Sequence, residues 1–100
     1  MATPNKFEFH AAAILEIREA IFWYQARNPD AAHQFRNEVK RAEKMVSTRP
    51  HVWPDYLHGT KRYVLHKFPF SLIYMSHEDS LVGLAVAHSR RRPGYWKDRM

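Results

Sequence analysis

The chain has 100 residues, no cysteine, 45% hydrophobic residues, 14% aromatic residues and a formal net charge of +6. That size suits a single domain, 1–100, with a core of its own. The composition excludes a disulfide framework and thiol chemistry, and no apolar run approaches the ~20 residues of a membrane span.

The opening M-A-T-P-N-K-F-E-F-H has no apolar signal-peptide core, so a soluble, cytoplasmic protein is expected. Lys6 to His10 alternates and puts Phe7 and Phe9 on one face, which predicts a short first strand at a sheet edge. From Ala11 the period changes. Ile14, Ile17, Ile21 and Tyr24 lie at helical spacing, with Glu16, Arg18 and Glu19 on the wet side. Asn28-Pro29-Asp30 closes this helix and starts the next, with Asn28 as N-cap and Pro29 in the first turn. The second helix carries Phe35, Val39, Ala42 and Met45/Val46 as its apolar stripe. So short a connection predicts an antiparallel hairpin.

Arg49 to Thr60 reads as irregular, with Val52, Trp53, Tyr56 and Leu57 folding back onto the core. Strands are predicted at Lys61–Phe68, Phe70–Ser76 and Ser80–His88, with Pro69 and His77-Glu78-Asp79 between them. The last strand is apolar on both faces, as an interior strand should be. The expected fold is α+β and two-layer, a helical hairpin on one face of a mainly antiparallel sheet, in the order βααβββ.

The charge is concentrated at the end. Residues 1–60 hold eight bases and seven acids, whereas His88 to Met100 holds five bases and one acid. A strand end that delivers His88, Arg90, Arg91, Arg92 and Tyr95 to one place suits a polyanion or an acidic partner.

Trp23-Tyr24, Arg49-Pro50, Leu57 to Tyr63 (L-H-G-T-K-R-Y), Phe68 to Tyr74 (F-P-F-S-L-I-Y) and Ala85 to Trp96 (A-V-A-H-S-R-R-R-P-G-Y-W) carry a resemblance. Over nearly its whole length the chain resembles the RelE/ParE superfamily, the toxins of bacterial type II toxin–antitoxin modules. The resemblance implies a growth-inhibiting toxin, of the kind that stabilises plasmids, neutralised by a cognate antitoxin. The target is either DNA gyrase, inhibited by binding, or the ribosome with its mRNA, cut by a metal-independent endonuclease. A degenerate, non-toxic relative that only binds a partner is a third reading.

For the endonuclease, the resemblance implies charge stabilisation by Arg62 and Arg91 and an acid or stacking role for Tyr95. His88 adds an imidazole that could act as base or acid. Lys61, Lys67, Arg90, Arg92, Trp96 and Lys97 are candidates for gripping a target or partner. Three positions depart from the RNase pattern. Ser71 stands where RelE-like enzymes place an arginine, Val64 where they place a lysine, and Asp55 is the only acid in the loop where another branch uses glutamate. The reading therefore leans to ParE-like inhibition by binding.

Each candidate also has a structural reading. His88 can simply bond to the tail, Arg90 to Arg92 can be solvated, and Tyr95 and Trp96 can pack on the sheet. Trp23, Tyr24, Trp53 and Tyr56 read as core or rim aromatics. The spacing of the seven histidines gives no metal site, and three glycines give no phosphate loop, so no cofactor is expected.

Overall fold

The structure, a computed structural model, describes residues 6–100. The reading of the first ten residues as lacking a signal core falls partly on residues 1–5, outside the described residues. The elements are β1 (Lys6–Phe9), α1 (Ala11–Arg27), α2 (Pro29–Thr48), β2 (Lys61–Val64), β3 (Phe70–His77) and β4 (Ser80–His88). Single 3-10 turns occupy Leu57–Gly59 and Lys97–Arg99.

The sheet order is β1-β4-β3-β2. β4 and β3 pair antiparallel, as do β3 and β2, while β1 joins the edge of β4 in parallel. The predicted α+β architecture, with a short first strand at the edge, is therefore the observed one.

The helix boundary at Asn28 follows from local chemistry. The Asn28 side chain accepts from the N–H groups of Asp30 and Ala31, and Pro29 needs no such partner. α1 begins on a less familiar cap. His10 Nδ1 accepts the Ala12 N–H at 3.0 Å.

α2 buries Ala32, Phe35, Val39, Ala42 and Val46 against the sheet. Val46 rather than Met45 ends this stripe, since Met45 is exposed. Phe35 is the hub, with Tyr24, Phe68 and Phe70 rings at 5.5, 5.3 and 5.1 Å. Tyr63, Leu65, Leu72, Tyr74, Leu81 and Val86 complete this core from the sheet side.

A second cluster covers part of the opposite face. Ile73, Leu84, Ala85 and Trp96 are buried there, with Tyr56, Met75, Val82, Ala87 and Tyr95 packed around them. A bulge in β4 makes this possible. Ala85 pairs with Ile73 and Gly83 with Tyr74, so Leu84 is the extra residue. The bulge puts Leu84 and Ala85 together in the second cluster and returns Val86 to the helix side.

Four local expectations are corrected. β2 ends at Val64, because the chain then turns sharply. Leu65 N–H donates to Phe70 C=O, and Lys67 sits in the left-handed region at φ 69°. His77 belongs to β3, leaving Glu78 and Asp79 as the turn. Val52 and Leu57 are exposed, so only Trp53 and Tyr56 of that loop fold back. On α1, Ile14 is exposed at the rim, while Glu16, assigned to the wet side, is largely enclosed.

Candidate functional site

The cationic terminus folds as a series of turns across the sheet face opposite the helices. Ser89 N–H donates to Pro69 C=O, Arg91 N–H to His88 C=O and Tyr95 N–H to Arg92 C=O. Gly94 takes φ 81°, and an added Cβ would lie 3.3 Å from the His58 ring, so a side chain there is both strained and crowded. Trp96 is then 1% exposed beneath the turn.

This path closes a cleft of about 210 Å³. β2 contributes Arg62, β3 contributes Ser71 and Ile73, and β4 contributes Ala87 and His88. Arg91, Arg92, Tyr95 and Trp96 supply the far wall, and Tyr56 the near one. Two guanidinium groups are stacked on aromatic rings. Arg62 lies 4.5 Å from the Tyr56 centroid and Arg91 3.8 Å from that of Tyr95. Stacking holds each charge at the rim, and neither is paired to a carboxylate among the described residues, which leaves it available to an anion.

Arg62, His88, Arg91, Arg92 and Tyr95 thus share one cleft, although they come from three parts of the chain. Lys61, Lys67, Arg90 and Lys97 do not line it. Lys61 is paired with Asp55 at 2.7 Å and also donates to Trp53 C=O. Lys67 and Lys97 are exposed elsewhere. Trp96, expected at the binding surface, is almost wholly buried and meets the cleft only as part of its wall.

Tyr95 is fixed from the other side. Its hydroxyl donates to Glu16 Oε2 at 2.5 Å. Arg99 holds the same carboxylate with both terminal nitrogens, at 2.9 and 3.0 Å. Burial, then the bond to Glu16, pushes the Tyr95 hydroxyl well above its ordinary value. The bonds to Glu16 likewise raise the Arg99 guanidinium.

Glu16 and Arg99 also repair the sheet. Past Gly83, β4 has no β1 residue beside it. There Glu16 Oε1 accepts the Val86 N–H at 3.1 Å, and Arg99 donates to Leu84 C=O at 2.9 Å. The two side chains stand in for the missing strand, and the bidentate pair ties α1, β4 and the tail together.

These two residues were missed from sequence. One signal was available: Glu16 lies three residues after Ala13 and four before Ala20, and both alanines are buried. Small residues at helical spacing around an acid mark a face that approaches other backbone closely.

His88 Nδ1 accepts the Arg90 N–H at 3.0 Å, so the neutral ring carries its proton on Nε2. Its ring lies edge-on to Phe70 at 5.0 Å. The cleft can therefore attract and orient an anion through Arg62, Arg91 and Arg92. For proton transfer the described lining offers His88 and the Tyr56 hydroxyl, with Tyr95 committed to Glu16. Among the described residues no three His, Cys, Asp or Glu side chains gather to hold a metal ion, and no helix is long and apolar enough to cross a membrane.

The architecture is a helical hairpin on a mixed four-stranded sheet with a turn-rich cationic tail. Among solved structures, the chain is similar to one described as the chromosomal ParDE TA system from P. aeruginosa. The two are 12% identical with a TM-score of 0.74, over 84% of this chain and 95% of that one. Likeness at that identity is a likeness of fold. No protein-family model and no curated protein matches the sequence.

Proposed function

We propose that this chain is the toxin of a type II toxin–antitoxin module, neutralised by a cognate antitoxin. We infer further that it acts by binding, as ParE-like inhibitors of DNA gyrase do. The structural neighbour's description as a ParDE TA system supports the first statement. The second rests on one observation: the Tyr95 hydroxyl donates to Glu16, which takes the tail tyrosine out of proton transfer and leaves a cleft dominated by arginine cations. Such a surface is suited to gripping. Both candidate targets place the protein in the cytoplasm.

A second reading, a ribosome-dependent mRNA endonuclease, is favoured by a different observation. Arg62, His88, Arg91 and Arg92 converge on one cleft, as stabilising a phosphorane would require. A non-toxic relative that only binds a partner is the third.

Induction of the chain without antitoxin separates all three. Gyrase inhibition gives DNA breaks and filamentation while translation continues. An endonuclease gives immediate translation arrest with cuts mapped to codons. A non-toxic relative gives no growth effect.

A further inference from the structure

α1 leaves an apolar face uncovered. Phe22 is 78% exposed, Leu15 56% and Trp23 52%. On a helical projection Ala11, Leu15, Arg18, Glu19, Phe22 and Ala26 form one stripe along the outer surface. Arg18, Glu19, Phe22, Trp23 and Ala26 line a shallow groove there. Arg18 and Glu19 are consecutive, so they do not face each other on the helix, and neither belongs to an ion pair among the described residues.

The stripe is complementary to itself when reversed. Laid antiparallel about a point between residues 18 and 19, two copies of α1 set Leu15 against Phe22 of the second copy. Arg18 then meets Glu19 of the second copy, and Ala11 meets Ala26. Each contact occurs twice, as a two-fold axis requires. The Leu15–Phe22 pairs cover the exposed Phe22 rings, the central charges neutralise each other, and the alanines at both ends let the backbones approach.

We propose that the occupant of this face is a second copy of the chain, giving a two-fold dimer through antiparallel α1 helices. The 17 residues of α1 span about 25 Å, so the contact is small and the dimer weak and concentration-dependent.

Sedimentation of the full chain, free of any partner, tests this. The wild type is expected to pass from monomer to dimer across the micromolar range. Arg18→Glu or Glu19→Arg alone sets like charges opposite each other and should weaken association at least tenfold. The double variant R18E/E19R restores both pairs and should restore the dimer.

Register is tested separately, using the absence of native cysteine. Ala11→Cys with Ala26→Cys should form an interchain disulfide on oxidation. Neither substitution alone should do so, because each residue lies about 22 Å along the axis from its own symmetry mate. A wild type that stays monomeric overturns the proposal, including one whose α1 face is protected only when a different protein is added. So does an R18E chain that dimerises as well as the wild type, or a Cys pair that does not cross-link.

Discussion

Tyr95 donates its hydroxyl to the carboxylate of Glu16 at 2.5 Å, across 79 residues of sequence. The same carboxylate receives Arg99 and the Val86 N–H. One acid on α1 therefore satisfies the uncovered edge of β4 and anchors the tail that forms the cleft wall. Glu16→Ala strands several of these groups at once. It should cost about 3 kcal/mol, seen as a fall in Tm of roughly 15 °C. Glu16→Gln keeps an acceptor for Val86 and should cost less. Thermal unfolding of both variants checks the order.

Gly83 lies beneath the aromatic pair of β1. A Cβ there would come within 2.7 Å of the Phe9 ring and 2.9 Å of the Phe7 ring. Those rings are themselves packed edge to face at 4.9 Å and have little room to withdraw. Gly83→Ala should destabilise the fold by about 1–3 kcal/mol, measured by urea unfolding.

Tyr74 provides a pH signature. Its hydroxyl donates to Pro50 C=O at 2.8 Å inside the core. Burial, with a smaller push from Asp55, raises its pKa from 10.0 to about 12. The folded chain thus holds this proton more tightly than the unfolded chain does. The associated stability is complete below pH 10.0 and is lost as pH rises toward about 12. Denaturation midpoints measured across that window should fall for the wild type. Tyr74→Phe should flatten the decline, while costing about 1–2 kcal/mol at neutral pH through the unpaired Pro50 carbonyl.

The rim arginines separate function from folding. Arg62 and Arg91 are exposed and make no ion pair among the described residues. Arg91→Ala should leave Tm within a few degrees of the wild type. It should weaken growth inhibition, and binding of the target in vitro, by about tenfold. An equal loss of stability and activity would instead make Arg91 a structural residue.

The elements with strong local signals were legible in the sequence. Asn28-Pro29 fixed the helix boundary, the α2 stripe fixed its buried face, and the doubly apolar Ser80–His88 fixed an interior strand. The cleft was legible in part, because Arg62, His88, Arg91 and Arg92 lie in or just beyond strands that the pattern predicts. Features set by distant partners were not. The parallel pairing of β1 depends on where α1 returns the chain. The burial of Glu16 depends on Arg99 and Tyr95, which lie at the other end of the sequence. Trp96 looked available because a Tyr-Trp pair in a basic tail carries the same letters whether it stacks outward or packs beneath a glycine turn. Arg99 counted toward the cationic surface, yet its charge is spent on Glu16 inside the fold.

Incubating the purified chain with DNA gyrase and with translating ribosomes, side by side, distinguishes gripping from cutting. Inhibition by binding gives trapped gyrase–DNA breaks that diminish with Arg91→Ala, and intact mRNA on the ribosomes. Codon-specific mRNA cleavage with gyrase unaffected rules out inhibition by binding.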